Sequence, residues 1–189
     1  MLFPVMEKCS KIFVKHKTYN LCIIVNKKMQ PFTQKYTIIQ LFEDVQDGYE
    51  FTSDNWPLHS TIVNTFSIDW DVPTIISELE KVIIGRKSIS TTAVGYTYFG
   101  SDQQVKVTLL NKSSDLSTLH YDLIKLLNTG GLRLNDPQYA LDGFLPHATV
   151  QKNMRINIGD EVIFNSVSLI DMFPSQDAYK RKIIKTIVF

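Results

Sequence analysis

An α+β fold in two pseudo-symmetric lobes is what this sequence predicts, on three observations. Strand-like and helix-like runs alternate along the chain. The order strand, helix, strand occurs twice, with 37 residues from Cys22 to His59 and 40 from Val107 to His147. The 189 residues are 44% apolar and 21% charged, enough for a stable core without metal or disulfide. Because no low-complexity stretch or linker separates the halves, residues 1–189 are read as a single bilobal domain.

Each element has its own signal. Thr18 to Asn26 is a β-branched run of strand length and reads as a buried strand. Pro31 suits a first helical turn, and Ile38, Ile39, Leu41, Phe42 and Val45 recur at helical spacing up to Asp47-Gly48, which predicts a helix. Trp56 to Ile68, rich in β-branched and aromatic residues, reads as the next strand. Asp71-Val72-Pro73 opens a helix with Ile75, Ile76, Leu79, Val82 and Ile83 on one face, and Gly85 closes it. Ile89 to Phe99 and Gln104 to Asn111 form a hairpin about Gly100-Ser101-Asp102. Ser113 or Ser114 caps a helix carrying Leu116, Leu119, Leu123, Ile124 and Leu127, which ends at Gly130-Gly131. A long loop, Leu132 to Asp142, leads to a strand from Phe144 to Lys152, and Glu161 to Phe173 with Arg181 to Phe189 reads as a closing pair.

Composition limits the function. Twenty Lys and Arg balance nineteen Asp and Glu, which argues against bulk neutralisation of a duplex but leaves recognition of a single phosphate open. Cys9 and Cys22 have no CxxC spacing and are read as structural thiols of a reducing compartment. The N-terminus lacks the apolar length and cleavage site of a signal peptide, and no stretch has the roughly 18 apolar residues of a membrane span, so a cytoplasmic location without membrane contact is expected.

The chemistry rests on two of the four histidines. Leu58-His59-Ser60-Thr61-Ile62 and Pro146-His147-Ala148-Thr149-Val150 share a frame with Thr two residues after His. In a strand, residues i and i+2 project to one face, so each motif offers an imidazole and a hydroxyl together while Ile62 or Val150 packs the other way. One H-x-T carries little information, but two among four histidines, with matching flanks, are a rare accident of composition. His16, between Lys15 and Lys17, and His120, within a helix, read as solvated or structural.

The paired H-x-T-φ motifs resemble the signature of the 2H phosphoesterase superfamily, specifically its LigT-like branch of 2′-5′ RNA ligases and cyclic phosphodiesterases. The likeness extends at pattern level from about Thr18 to the Val167-Ser168-Leu169-Ile170 strand and Tyr179 before the last strand. It implies antiparallel sheets with helices on the outer faces, and a central cleft in which the two motifs face each other. Family members often carry Arg five residues after the second His, where this chain has Lys152, a point charge without a bidentate fork.

Hydrolysis of a cyclic phosphodiester needs a base for water, an acid for the departing ribose oxygen and donors for the non-bridging oxygens. Two imidazoles divide the first two tasks near neutral pH, and the hydroxyls of Thr61 and Thr149 supply the donors. The resemblance suggests His147 as base and His59 as acid, with the reverse equally allowed by the pseudo-symmetry. No metal and no cofactor is expected. Trp56 and Phe144, each within three residues of a motif His, are candidates to hold a base or ribose, among the aromatics Tyr96, Tyr98 and Phe99. Lys180-Arg181-Lys182 reads as the solvated start of a strand or as an RNA contact.

The sequence thus predicts a monomeric, metal-independent phosphoesterase acting on the 2′,3′-cyclic phosphate of an RNA terminus or small nucleotide. The alternatives are an RNA 3′-end exonuclease of the same superfamily, for which a net charge of +1 advertises no basic track, and a non-catalytic RNA or nucleotide-binding module, which would not need two titrating groups.

Overall fold

The structure, a computed structural model, describes residues 7–14, 17–24, 32–100, 102–151 and 154–189. The chain divides into two compact units, Met1–Phe32 and Thr33–Phe189. In the first, β1 (Glu7–Val14) pairs antiparallel with β2 (Lys17–Ile24), which is the strand expected near Thr18. Pro31 lies outside the described residues.

In the second unit β3 (Tyr36–Leu41) corrects the first predicted helix. All six of its residues are buried, and the neighbours Ile38 and Ile39 belong to different apolar clusters on the two sides of the sheet. A strand covered on both faces loses the period-two alternation that would have identified it, and a continuous apolar run then imitates helical spacing. The strand–helix–strand repeat through Cys22 therefore has no counterpart, since no helix lies between β2 and the first motif among the described residues.

The remaining elements follow in order: β4 (Glu50–Thr52), β5 (His59–Ser67), α1 (Val72–Ile83), β6 (Ile89–Phe99), β7 (Val105–Leu110), α2 (Ser114–Asn128), β8 (Arg133–Leu134), β9 (His147–Thr149), β10 (Glu161–Phe164), β11 (Ser166–Asp171) and β12 (Lys180–Val188). Ten strands form one sheet of order β10-β6-β7-β9-β5-β3-β11-β12-β4, with β8 beside β5, and the pairings within it are antiparallel.

Both helices start where their caps dictate. The Asp71 carboxylate accepts from the Thr74 N–H at 3.0 Å, and Gly85 takes the left-handed conformation (φ 85°) just beyond α1. Ser113, not Ser114, caps α2, its Oγ accepting from the Leu116 N–H at 3.2 Å. Ile75, Leu79 and Ile83 of α1 and Leu116, Leu119, Leu123 and Leu127 of α2 share one core with Ile62, Phe66, Phe164 and Leu169 of the sheet. Each such full burial contributes about 1.5–3 kcal/mol. A smaller cluster, Ile39, Leu41, Phe51, Ile170 and Ile183, packs with Trp56 and Met172.

Three boundaries differ from expectation. The strand predicted to run from Trp56 begins at His59, after Pro57. The strand predicted from Phe144 to Lys152 is only three residues long. Glu161 to Phe173 is two strands, because at Asn165 the chain changes partner from β6 to β3 and β12; the Gln40 Oε1 accepts from the N–H groups of both Asn165 and Ser166 at 3.0 Å.

Candidate active site

The two motifs occupy neighbouring strands. β5 and β9 are antiparallel with Ser60 opposite Ala148. That register places His59 across from Thr149 and Thr61 across from His147, on the face opposite Ser60 and Ala148, which are buried with 0% and 1% exposure. Four side chains from two distant stretches thus form one patch with local two-fold symmetry. The motifs stand side by side rather than on separate sheets.

The imidazoles are held alike. His59 Nδ1 lies 2.7 Å from the Pro57 carbonyl oxygen, and His147 Nδ1 lies 2.8 Å from that of Leu145, in each case two residues upstream. A carbonyl can only accept, so each Nδ1 carries the hydrogen and each Nε2 is left with its lone pair for chemistry. Each ring also packs on an aromatic neighbour: Trp56 against His59 with centroids 4.7 Å apart, and Phe99 edge-on to His147 at 4.8 Å.

Burial, only partly offset by the Pro57 bond and reinforced by the nearby His147, pushes His59 down to about 4. Burial also lowers His147, against the Leu145 bond, which favours its charged form. Both imidazoles therefore favour the neutral form near pH 7.

They open into a cleft of ≈ 910 Å³ that Thr61 also lines. Its walls include Trp56, Tyr98 and Phe99, together with Asn64, Asp136, Gln138, Tyr139, Phe144 and Leu145. Among the described residues of this lining there is no Lys or Arg, and Asp136 is its one carboxylate. No three His, Cys, Asp or Glu side chains come together as a metal's ligand set among the described residues.

Of the residues nominated from the sequence, His59, Thr61, His147, Trp56 and Phe144 meet in this cleft. Thr149 shares the face of β9 but stands outside the cleft lining, and Lys152 lies outside the described residues. Trp56 is committed to internal packing on both His59 and Phe51. Phe144 is 6% exposed and stacked flat on His120, with centroids 4.2 Å apart. The aromatic surface open to a ligand belongs to Tyr98 and Tyr139, which are 53% and 63% exposed. Tyr98 stood among the sequence candidates. Tyr139 did not, and its only signal was a place in the long loop that leads to the second motif.

His120 is structural, as its helical position suggested. Its Nδ1 donates to the Ile62 carbonyl at 2.6 Å and its Nε2 accepts from the Leu141 N–H at 2.8 Å. One neutral imidazole thereby ties β5 to the loop that forms a wall of the cleft.

An antiparallel α+β sheet that sets two H-x-T motifs on adjacent strands defines a class of two-histidine proteins. The family model described as the 2′-5′ RNA ligase superfamily matches residues 33–163, and the chain belongs to that superfamily. The same fold occurs in E. coli LigT solved with 3′-AMP (TM-score 0.53, 12% identity, 84% of this chain and 99% of that one). It also occurs in E. coli LigT solved with NADP+ (TM-score 0.51, 13% identity, 83% and 98%) and in a protein solved as a phosphoesterase (TM-score 0.52, 12% identity, 84% and 99%). At these identities the likeness is one of fold. No curated protein matches the sequence.

Proposed function

We propose that the cleft hydrolyses 2′,3′-cyclic phosphodiesters at RNA ends or on small nucleotides by acid–base catalysis from His59 and His147. The observation that carries this reading is the matched pair of imidazoles. Both are fixed through Nδ1, and among the described residues neither Nε2 has a hydrogen-bond partner on the shared face of the neighbouring strands. A binding module gains nothing from two titrating groups so arranged.

The difference in burial supports one assignment of the roles. His59, held at about 4, stays neutral and acts as base; His147, the more accessible of the two, takes up a proton when the phosphate anion arrives and acts as acid. This reverses the order that the resemblance suggested, a reversal the pseudo-symmetry left open. His59 Nε2 removes a proton from water, the water oxygen bonds to phosphorus, and the bond from phosphorus to the ribose 3′ oxygen breaks. His147 protonates that oxygen, leaving a 2′-phosphate, and solvent returns both imidazoles to their starting states. The Thr61 hydroxyl donates to a non-bridging oxygen where negative charge develops.

Tyr98 and Tyr139 offer stacking faces for a base, a contact that tolerates any nucleobase. E. coli LigT solved with 3′-AMP and with NADP+ on the same fold supports a nucleotide ligand. The described lining, without Lys or Arg, favours a short substrate over the phosphate track of an exonuclease.

The test is turnover of 2′,3′-cyclic nucleotides in the presence of EDTA, with the product isomer identified. The expected result is a 2′-monophosphate formed by the wild type and not by a folded His59→Ala/His147→Ala variant. Undiminished turnover by that variant, or none by the folded wild type on any cyclic nucleotide or cyclic-phosphate RNA end, overturns the reading.

A further inference from the structure

The basic triplet at the start of β12 does not behave as one patch. Strand alternation turns Lys180 outward into solvent, and Lys182 reaches Glu50 at 3.7 Å. Arg181 turns inward and is 9% exposed. Its Nη1 donates to the carbonyls of Met172 and Ala178 at 2.8 Å and of Lys180 at 2.6 Å, which closes the turn between β11 and β12. Among the described residues its Nε is buried without a partner and Arg181 forms no ion pair.

Asp171 and Asp177 act on the guanidinium only through space, and every hydrogen bond it makes among the described residues goes to a neutral carbonyl, a costly way to close a turn when a neutral donor would serve. What a neutral donor cannot supply is a planar cation for an indole. The Arg181 guanidinium carbon lies 5.9 Å from the centroid of the Trp56 ring. Phe51 packs on the same indole at 4.9 Å, and Trp56 in turn lies 4.7 Å from His59. Met172, whose carbonyl Arg181 holds, lines the cleft together with Trp56 and His59.

We infer that Arg181 is a positioning residue for His59: by clamping Trp56 from outside the cleft, it fixes the plane of the imidazole so that Nε2 faces the substrate. The Pro57 bond alone leaves the ring free to swing about its Nδ1 contact; the indole face removes that freedom. The inference rests on the proposed role of His59, and its first readout is independent of activity.

That readout is NMR of the histidine ring resonances in the free protein, comparing wild type with Arg181→Met, which keeps a flexible apolar stem, and Arg181→Lys, which keeps a charge without the plane. The resonances of His59 should shift or broaden in both, with those of His147 and His120 unchanged. On a 2′,3′-cyclic nucleotide, kcat should fall about tenfold in Arg181→Met, as expected for a misplaced catalytic group, while KM stays within about twofold. In a Trp56→Leu background, Arg181→Met should add less than about twofold, because the relay is already gone.

Unchanged His59 resonances in a folded Arg181→Met or Arg181→Lys overturn the inference, as does full additivity with Trp56→Leu. If Arg181→Met does not fold, the Lys variant decides by the same resonances. A wild type without phosphodiesterase activity would refute the proposed function, and the ring resonances would still decide whether Arg181 positions His59.

Discussion

His59 and His147 occupy matched bonding positions in unequal solvent, and the proposed division of labour between them rests on that inequality. Each donates Nδ1–H to the carbonyl two residues back, so orientation is common to both and burial is what differs. The hydroxyls differ likewise, since Thr61 lines the cleft and Thr149 does not. Thr61→Val should therefore lower kcat by about tenfold to a hundredfold through loss of a transition-state donor, and Thr149→Val by less. Steady-state kinetics on one cyclic nucleotide checks the order, and a larger loss at Thr149 would contradict the placement of the phosphate. At this scale the sequence was informative, because the i, i+2 geometry of H-x-T is local. The unequal burial on which the proposed assignment of roles rests was not legible, because it is set by residues far away in the chain.

Among the elements, the loop from Asp136 to Leu145 has the most influence on the cleft. It is pinned at Leu141 by His120, and Leu141 itself sits at φ 53°, in the left-handed region that a leucine avoids. A Cβ built on Gly143 would stand 2.0 Å from the Gln138 carbonyl oxygen, so only glycine permits that close approach. His120→Leu orphans the Ile62 carbonyl and the Leu141 N–H and should cost about 1–3 kcal/mol for each group that water cannot reach. Urea unfolding should show a lower midpoint with an unchanged slope, and protease should cut first between Asp136 and Leu145. An unshifted midpoint would mean that the pin carries no load. Capped elements such as α1 and α2 were legible because Asp71, Ser113 and the glycines beyond them act locally. β3 was not, because its two buried faces erase the pattern. Nor was the shortness of β9, whose limits depend on what β5 and β7 offer as partners.

For the molecule as a whole, His59 and His120 are buried and His147 is half-buried, all three favoured in the neutral form. Burial lowers His59 to about 4 and also lowers His120 and His147. A group whose folded value is depressed binds its proton more readily in the unfolded chain. The stability tied to these residues is therefore complete above about pH 6.5 and is lost as pH falls towards 4. Thermal unfolding followed across that range should show a decline that His59→Gln reduces; a melting temperature flat from pH 7 to 5 would contradict the burial. The α+β class and the pairing of the motifs were readable from the chain. The adjacency of β5 and β9 was not, since a strand register between stretches so far apart leaves no local trace.

The central claim, that two histidines act as base and acid, is tested most directly by the pH dependence of kcat/KM in wild type and in each single alanine variant. The wild type should give a bell that rises through about 4 as His59 loses its proton and falls below the usual histidine value of about 6.5 as His147 loses its own. His59→Ala should lose the acid limb and His147→Ala the alkaline limb, each with at least about a hundredfold drop in rate. A wild-type profile with one limb, or variants that keep both, would contradict the account.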